Sequence, residues 1–159
     1  MVVHNAEVVA LLLALTTLFK SRETSPFPVP SDASATLHEI VATGELAELS
    51  WPNFSDYQAR VMTFYESSAD APAWIQSGAS TPQALSMIEV LQQADNKGLH
   101  AEDYDGPRWA DRLARMRQFS YAAEARFDAA LTICVMRYVS DLHIGRLDPG
   151  HLTLGYLCK

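Results

Sequence analysis

FDAALTICVMRYVSDLHIGRLDP, Phe127 to Pro149, decides how this chain folds. Phe127, Leu131, Cys134, Tyr138 and Leu142 recur at steps of four, three, four and four, the spacing that lines side chains along one face of an α-helix. Ile133 and Met136 widen that stripe. A helix apolar over so much of its circumference is covered from several sides, so the pattern predicts a central helix from about Ala122 to His143. Gly145 is placed to end it in a left-handed conformation, and Asp148-Pro149-Gly150 makes a turn just beyond. Leu131 and Cys134 are expected to anchor the core.

Working outward, the chain before this helix is punctuated into shorter ones. Pro107 opens a short amphipathic helix in which Trp109, Leu113 and Met116 share a face while Arg108, Arg112 and Arg115 occupy others. Thr81 is expected to cap, and Pro82 to begin, a helix with Ala84, Met87, Ile88, Leu91 and Ala94 on its apolar face and Gly98 as its stop. Between them and the preceding helix, Ala69 to Ser80 reads as a loop or short extended segment, with Trp74 as a core anchor. Ser55 and Gln58 have capping-box spacing before Tyr57, Val61, Phe64 and Tyr65, predicting a helix to about Ser67. Thr36 and Glu39 repeat that spacing before Leu37, Ile40 and Val41, with Gly44 as the stop. The expectation is an all-α fold, an irregular bundle of about five helices with long loops. No alternating strand pattern competes and no internal repeat is visible.

Domain boundaries follow from composition. Ser21 to Ser34 is rich in Ser and Pro, with Pro26, Pro28 and Pro30 close together, so residues 21–34 are expected to be an extended linker. Residues 35–150 are then the helical domain and 151–159 a C-terminal stub. Residues 1–20 contain an apolar run, Val8 to Phe19, shorter than the roughly 20 residues that cross a bilayer as a helix. Its length suits the centre of a signal peptide, but Met1 to Glu7 holds no Lys or Arg and no small-x-small cleavage pattern follows. A degenerate signal or anchor, a buried N-terminal helix and an artefact of the chosen start all remain open for it.

Of the 159 residues 48% are apolar and 19% charged, a balance that argues against disorder and for a real core. Twelve basic against 19 acidic residues give a net charge of -7, which removes the general attraction to phosphate behind non-specific nucleic-acid binding. No nucleic-acid partner is expected.

The residues that could carry chemistry fall short of a site. Cys134 lies on the apolar stripe, where burial raises a thiol pKa and hides it, and Cys158 has neither a local histidine nor oxyanion-hole glycines beside it. Two cysteines are too few for a disulfide framework and lack zinc spacing. Asp141, His143, Asp148 and His151 are dense in metal-ligand types but have no i, i+4 His pair. Glu102-Asp103-Tyr104-Asp105-Gly106 faintly resembles a calcium loop without its distal Glu, and capping of the following helix explains its carboxylates better. Trp51, Tyr57, Tyr65, Trp74, Tyr104, Trp109 and Tyr138 could stack on sugars, although at helical spacing such residues more often form core. P-loop, GxGxxG, GxSxG and HExxH motifs are absent from the sequence. No catalytic residue, cofactor or metal is expected.

Four stretches taken together carry a family resemblance: ELSWPNFSDYQ (Glu48 to Gln58), APAWI (Ala71 to Ile75), STPQALSMIEVLQQADNKGLHAEDYDGPRW (Ser80 to Trp109) and the Phe127 to Pro149 stretch. In this order they resemble the scaffold domain of the large bacterial L,D-transpeptidases with a YkuD-type catalytic domain, over roughly Glu39 to Pro149. In that family a catalytic domain follows the scaffold and carries a Ser-His-Gly-Cys type motif whose cysteine attacks a peptidoglycan stem peptide to form 3-3 cross-links. No such motif occurs up to Lys159. The resemblance therefore implies a non-catalytic helical body, partnered by a catalytic domain in cis or missing by truncation, in the periplasm or cell envelope. It also implies that Tyr138, Asp141, Gly145, Arg146 and Pro149, where the last helix hands on the chain, are interface or boundary positions, with capping and core packing as the alternative role. A stand-alone peptidoglycan-binding or regulatory module, suggested by the aromatics around Trp51 and Trp74, is the competing expectation. A hydrolase or metal enzyme using Asp141 to His151 is a third.

Overall fold

The computed structural model describes residues 31–68, 70–116 and 120–144. The apolar segment 1–20, most of the linker and the stub 151–159 lie outside them, as do Gly145, Arg146 and Pro149. Pro26–Tyr138 forms one compact unit, and Val139–Ile144, the end of the last helix, belongs to another. No helix among the described residues is long and apolar enough to cross a membrane.

The architecture is helical: α1 (Ser31–Thr43), α2 (Gln58–Glu66), α3 (Pro82–Gln92), α4 (Trp109–Met116) and α5 (Tyr121–Ile144), with a two-stranded hairpin and three 3-10 turns between them. In α5 every residue from Phe127 to Val135 is buried, which is the covering on several sides that the stripe predicted. Leu131, Ile133 and Cys134 are fully enclosed. Removing this much apolar surface from water is the main stabilising contribution to such a fold.

Helix α1 begins at Ser31 and takes four residues from the expected linker, so Thr36 and Glu39 sit inside the helix and form no capping box. Its buried residues Ala33, Leu37, Ile40 and Val41 extend the apolar stripe back a full turn, and that packing outweighs a local capping preference. Gly44 ends the helix with φ +68, as its position predicted.

Helix α2 buries Val61 and Tyr65 as expected, but Ser55 and Gln58 do not form a capping box either. The Asn53 side chain takes the Ser55 N–H and hydroxyl, at 3.0 and 2.7 Å. The Gln58 amide nitrogen instead donates to the carbonyls of Val41 and Ala42, both at 2.9 Å. Those carbonyls belong to the last turn of α1, where intrahelical donors run out, so Gln58 closes the end of a different helix. A Cβ on residue 44 would stand 3.1 Å from the Gln58 side-chain oxygen, a second reason for glycine there.

Ile75–Gln76 and Ala79–Ser80 pair antiparallel across Ser77 and Gly78, whose φ values of +53 and +76 define the mirror-image turn that suits a two-residue hairpin. Strands of two residues are too short to show alternation, which is why the sequence displayed none. Thr81 caps α3 by accepting the Ala84 N–H at 3.1 Å, with Pro82 in the first turn. The α-helix ends at Gln92, and a 3-10 turn, Ala94–Lys97, continues to Gly98.

Candidate functional site

The chemistry of the unit is concentrated in two buried polar clusters on different sides of α5. Asp128 and Thr132, one helical turn apart and so neighbours on the helix surface, make the first. The Tyr65 hydroxyl donates to Asp128 Oδ1 at 2.7 Å, and the backbone N–H groups of Ala73 and Trp74 donate to its two oxygens at 3.0 and 2.7 Å. Trp74 Nε1 donates to Thr132 Oγ1 at 2.9 Å, and Thr132 and Tyr65 are 2.7 Å apart through their hydroxyls. Because Tyr65 gives its one proton to the carboxylate, the chain of bonds closes if Thr132 donates to the phenol oxygen. Burial, reinforced by the Asp128 charge, pushes the Tyr65 phenol well above its ordinary value. This cluster fastens α2 and the strand entering the hairpin to the central helix.

The second cluster centres on Asp105 and Arg112. Asp105 sits at φ +58 between two 3-10 turns, a left-handed position that Asp and Asn tolerate better than most residues. Its Oδ2 accepts from Arg112 Nη2 at 2.6 Å, and its Oδ1 from the Ser50 N–H at 2.9 Å. Arg112 Nη2 also donates to the Glu48 carbonyl at 2.7 Å, and the guanidinium lies 4.7 Å from the Trp109 ring centroid. Both charged groups are buried, at 1% and 5% exposure. This corrects two expectations. The Asp105 carboxylate forms an ion pair instead of capping a helix, and Arg112 lies on the buried face of α4 with Trp109 and Met116 while Leu113 is only half-buried. A charged residue can replace an apolar one there because a carboxylate and a carbonyl receive it.

Cys134 faces this second cluster, its sulfur 3.8 Å from Asp105 Oδ2. Burial, followed by the adjacent carboxylate, pushes its thiol far above the ordinary range and so disfavours the thiolate. Further packing joins the 3-10 turns and α4 to α5: Tyr104 meets Tyr138 edge-on at 5.3 Å, and Trp109 meets Phe127 at 5.9 Å.

Of the five expected interface or boundary positions, Tyr138 and Asp141 are among the described residues. Tyr138 is buried and packs edge-on against Tyr104. Asp141 is half-buried near the end of α5. Of the aromatics considered for sugar stacking, Tyr65, Trp74, Tyr104, Trp109 and Tyr138 are core, Tyr57 is half-buried, and Trp51 remains 57% exposed. Among the described residues no group of three His, Cys, Asp or Glu side chains could hold a metal. Sequence reasoning missed Asp128 and Thr132, and gave Asp105, Arg112 and Gln58 local roles other than the ones they have. For Asp128 a signal existed: a lone charge inside the apolar stretch FDAALTICV, with a hydroxyl one turn on.

Fold and clusters together define a helical domain organised by a single central helix, with its buried polar groups used to hold loops and neighbouring helices. A family model described as a scaffold domain matches residues 59–157, well over half of the chain, and the chain belongs to that family. No curated protein and no solved structure matches it.

Proposed function

We propose that this chain is the non-catalytic scaffold portion of a peptidoglycan L,D-transpeptidase, acting in the cell envelope by bracing a catalytic cysteine domain that performs 3-3 cross-linking. The observation that carries the reading is where the reactive groups lie. Cys134, the one cysteine among the described residues, is sealed in the core, and Asp128 and Asp105 are each held by several donors. Groups bound in this way position structure and do not turn over substrate. Scaffold-domain membership and the four resembling stretches support the same role.

The test pairs the purified chain with a separately expressed YkuD-type catalytic domain and with muropeptides. The chain is expected to bind that domain and, by itself, to form no cross-linked product. Acyl transfer by the chain alone would refute the reading.

Exposed Trp51, with Tyr121 also 47% exposed, favours a second reading, a stand-alone peptidoglycan-binding module. It predicts retention on purified sacculi that Trp51→Ala abolishes. Trp74 contributes nothing to such binding because it is enclosed against Asp128 and Thr132.

A further inference from the structure

Residues 44–54, between α1 and α2, form a loop whose backbone is fastened at both ends and in the middle. Glu45 bridges Asn53, the Leu46 N–H donates to the Pro52 carbonyl at 2.9 Å, and the Phe54 N–H donates to the Gly44 carbonyl at 2.9 Å. Leu46, Leu49 and Phe54 are buried. From outside the loop, Asp105 accepts the Ser50 N–H, while Arg112 and Arg108 donate to the Glu48 carbonyl. Arg126 donates to the Glu48 carboxylate and Arg137 to the Asn53 carbonyl. A buried ion pair adds little net stability, so the Asp105–Arg112 pair is better explained by what it positions, and both its members reach this loop.

What the clamped loop holds out is Trp51. It is the most exposed large hydrophobic side chain among the described residues, while Trp74 and Trp109 are buried. Ser50, Pro52 and Asn53 beside it are exposed too, and Asn53, fixed through its Oδ1 by Ser55, carries amide N–H donors. The other exposed large hydrophobics, Met62, Leu85 and Tyr121, are on α2, α3 and α5. A stable protein interface takes roughly 20–30 residues a side. One indole beside a hydroxyl and an amide instead matches a pyranose ring, which has an apolar C–H face and a polar edge. Charge narrows the ligand further. Glu45 and Asp56 are exposed on either side of the tip, and Arg112, Arg126 and Arg137 are engaged with the loop itself, so an acidic strand is disfavoured.

We propose that residues 50–53 are a preformed platform on which one ring of a neutral polysaccharide strand stacks against Trp51. Ordering a loop on binding subtracts from affinity, and the clamp removes that cost beforehand. The inference rests on the peptidoglycan-binding reading for the source of the strand, which is then the N-acetylated amino-sugar backbone and not the stem peptide.

The test is an NMR titration of the isotope-labelled full chain with N-acetylchitotetraose and, separately, with a stem tetrapeptide. Saturable shifts are expected with the sugar alone, at the Trp51 indole N–H and the Ser50 and Asn53 amides. The indoles of Trp74 and Trp109, bonded in the core to Thr132 and the Tyr104 carbonyl, should not move. Trp51→Ala, at an exposed position, is expected to weaken binding about tenfold, read at Ser50 and Asn53, and Trp51→Phe to weaken it less. Met62→Ala, on α2, should change nothing. In the free chain the heteronuclear NOE of the Ser50, Trp51 and Asn53 amides is expected to equal that of α5, as a preformed platform requires. Shifts that fail to saturate, that saturate with the peptide instead, or that persist with equal affinity in Trp51→Ala overturn the proposal, as does a low NOE at the tip. Shifts at Trp51 with a catalytic domain and none with the sugar overturn it in favour of a protein contact. Retention on sacculi without tetrasaccharide binding overturns the sugar assignment and leaves the peptidoglycan-binding reading standing, whereas tetrasaccharide binding without retention supports the platform and removes that reading.

Discussion

Asp128→Ala separates the buried polar cluster from everything else that α5 does. Alanine is the best helix former and is smaller than aspartate, so the substitution neither weakens the helix nor overpacks it. It does remove the acceptor for three donors. Tyr65 keeps Thr132 as a partner, but the N–H groups of Ala73 and Trp74 lose theirs. A stranded buried donor costs about 1–3 kcal/mol, so two of them bound the effect at roughly 2–6 kcal/mol. Water reaches half-buried Ala73 more easily than Trp74, and the expected loss is therefore about 3–5 kcal/mol. That is a large fraction of the roughly 5–15 kcal/mol available to a domain. Urea denaturation followed by both circular dichroism and tryptophan fluorescence measures it, with the two probes coinciding if unfolding is two-state. A loss under about 1 kcal/mol would show that the cluster does not fasten the hairpin, and the reasoning would fail.

Leu131→Ala is expected to cost about 2–5 kcal/mol by leaving a cavity in the fully enclosed centre of α5, read from the same denaturation curves. Arg112→Ala should cost about 3–5 kcal/mol because it leaves Asp105 buried without its cation, whereas Asp105→Asn combined with Arg112→Met should be clearly milder; equal losses would contradict an ion-pair origin. Gln58→Ala is expected to lose about 1–2 kcal/mol and to raise amide exchange at the end of α1, not in the first turn of α2. Folding raises the pKa values of Cys134 and Tyr65, so the unfolded chain releases protons that the folded one keeps. Stability is then full below about pH 9 and falls as pH rises, by up to about 1.4 kcal/mol per pH unit for each group, and Cys134→Ala should move the onset toward about pH 10.

From the sequence by itself came whatever is written in local spacing. The three-and-four steps from Phe127 to Tyr138 specify a helix and its burial, Thr81-Pro82 specifies a start, and Gly44 specifies a stop, because each depends on residues within a turn or two. Burial of Cys134 followed from the same stripe. The tertiary structure alone decided where polar side chains went. Gln58 had the spacing to cap its own helix and caps α1, and Arg112 had the character of a surface residue and lies in the core. Asp128 meets donors more than 50 residues away, as Arg112 meets Glu48. A polar side chain is stable inside only where a partner stands within about 3 Å, and that coincidence belongs to the assembled chain, not to any window of sequence.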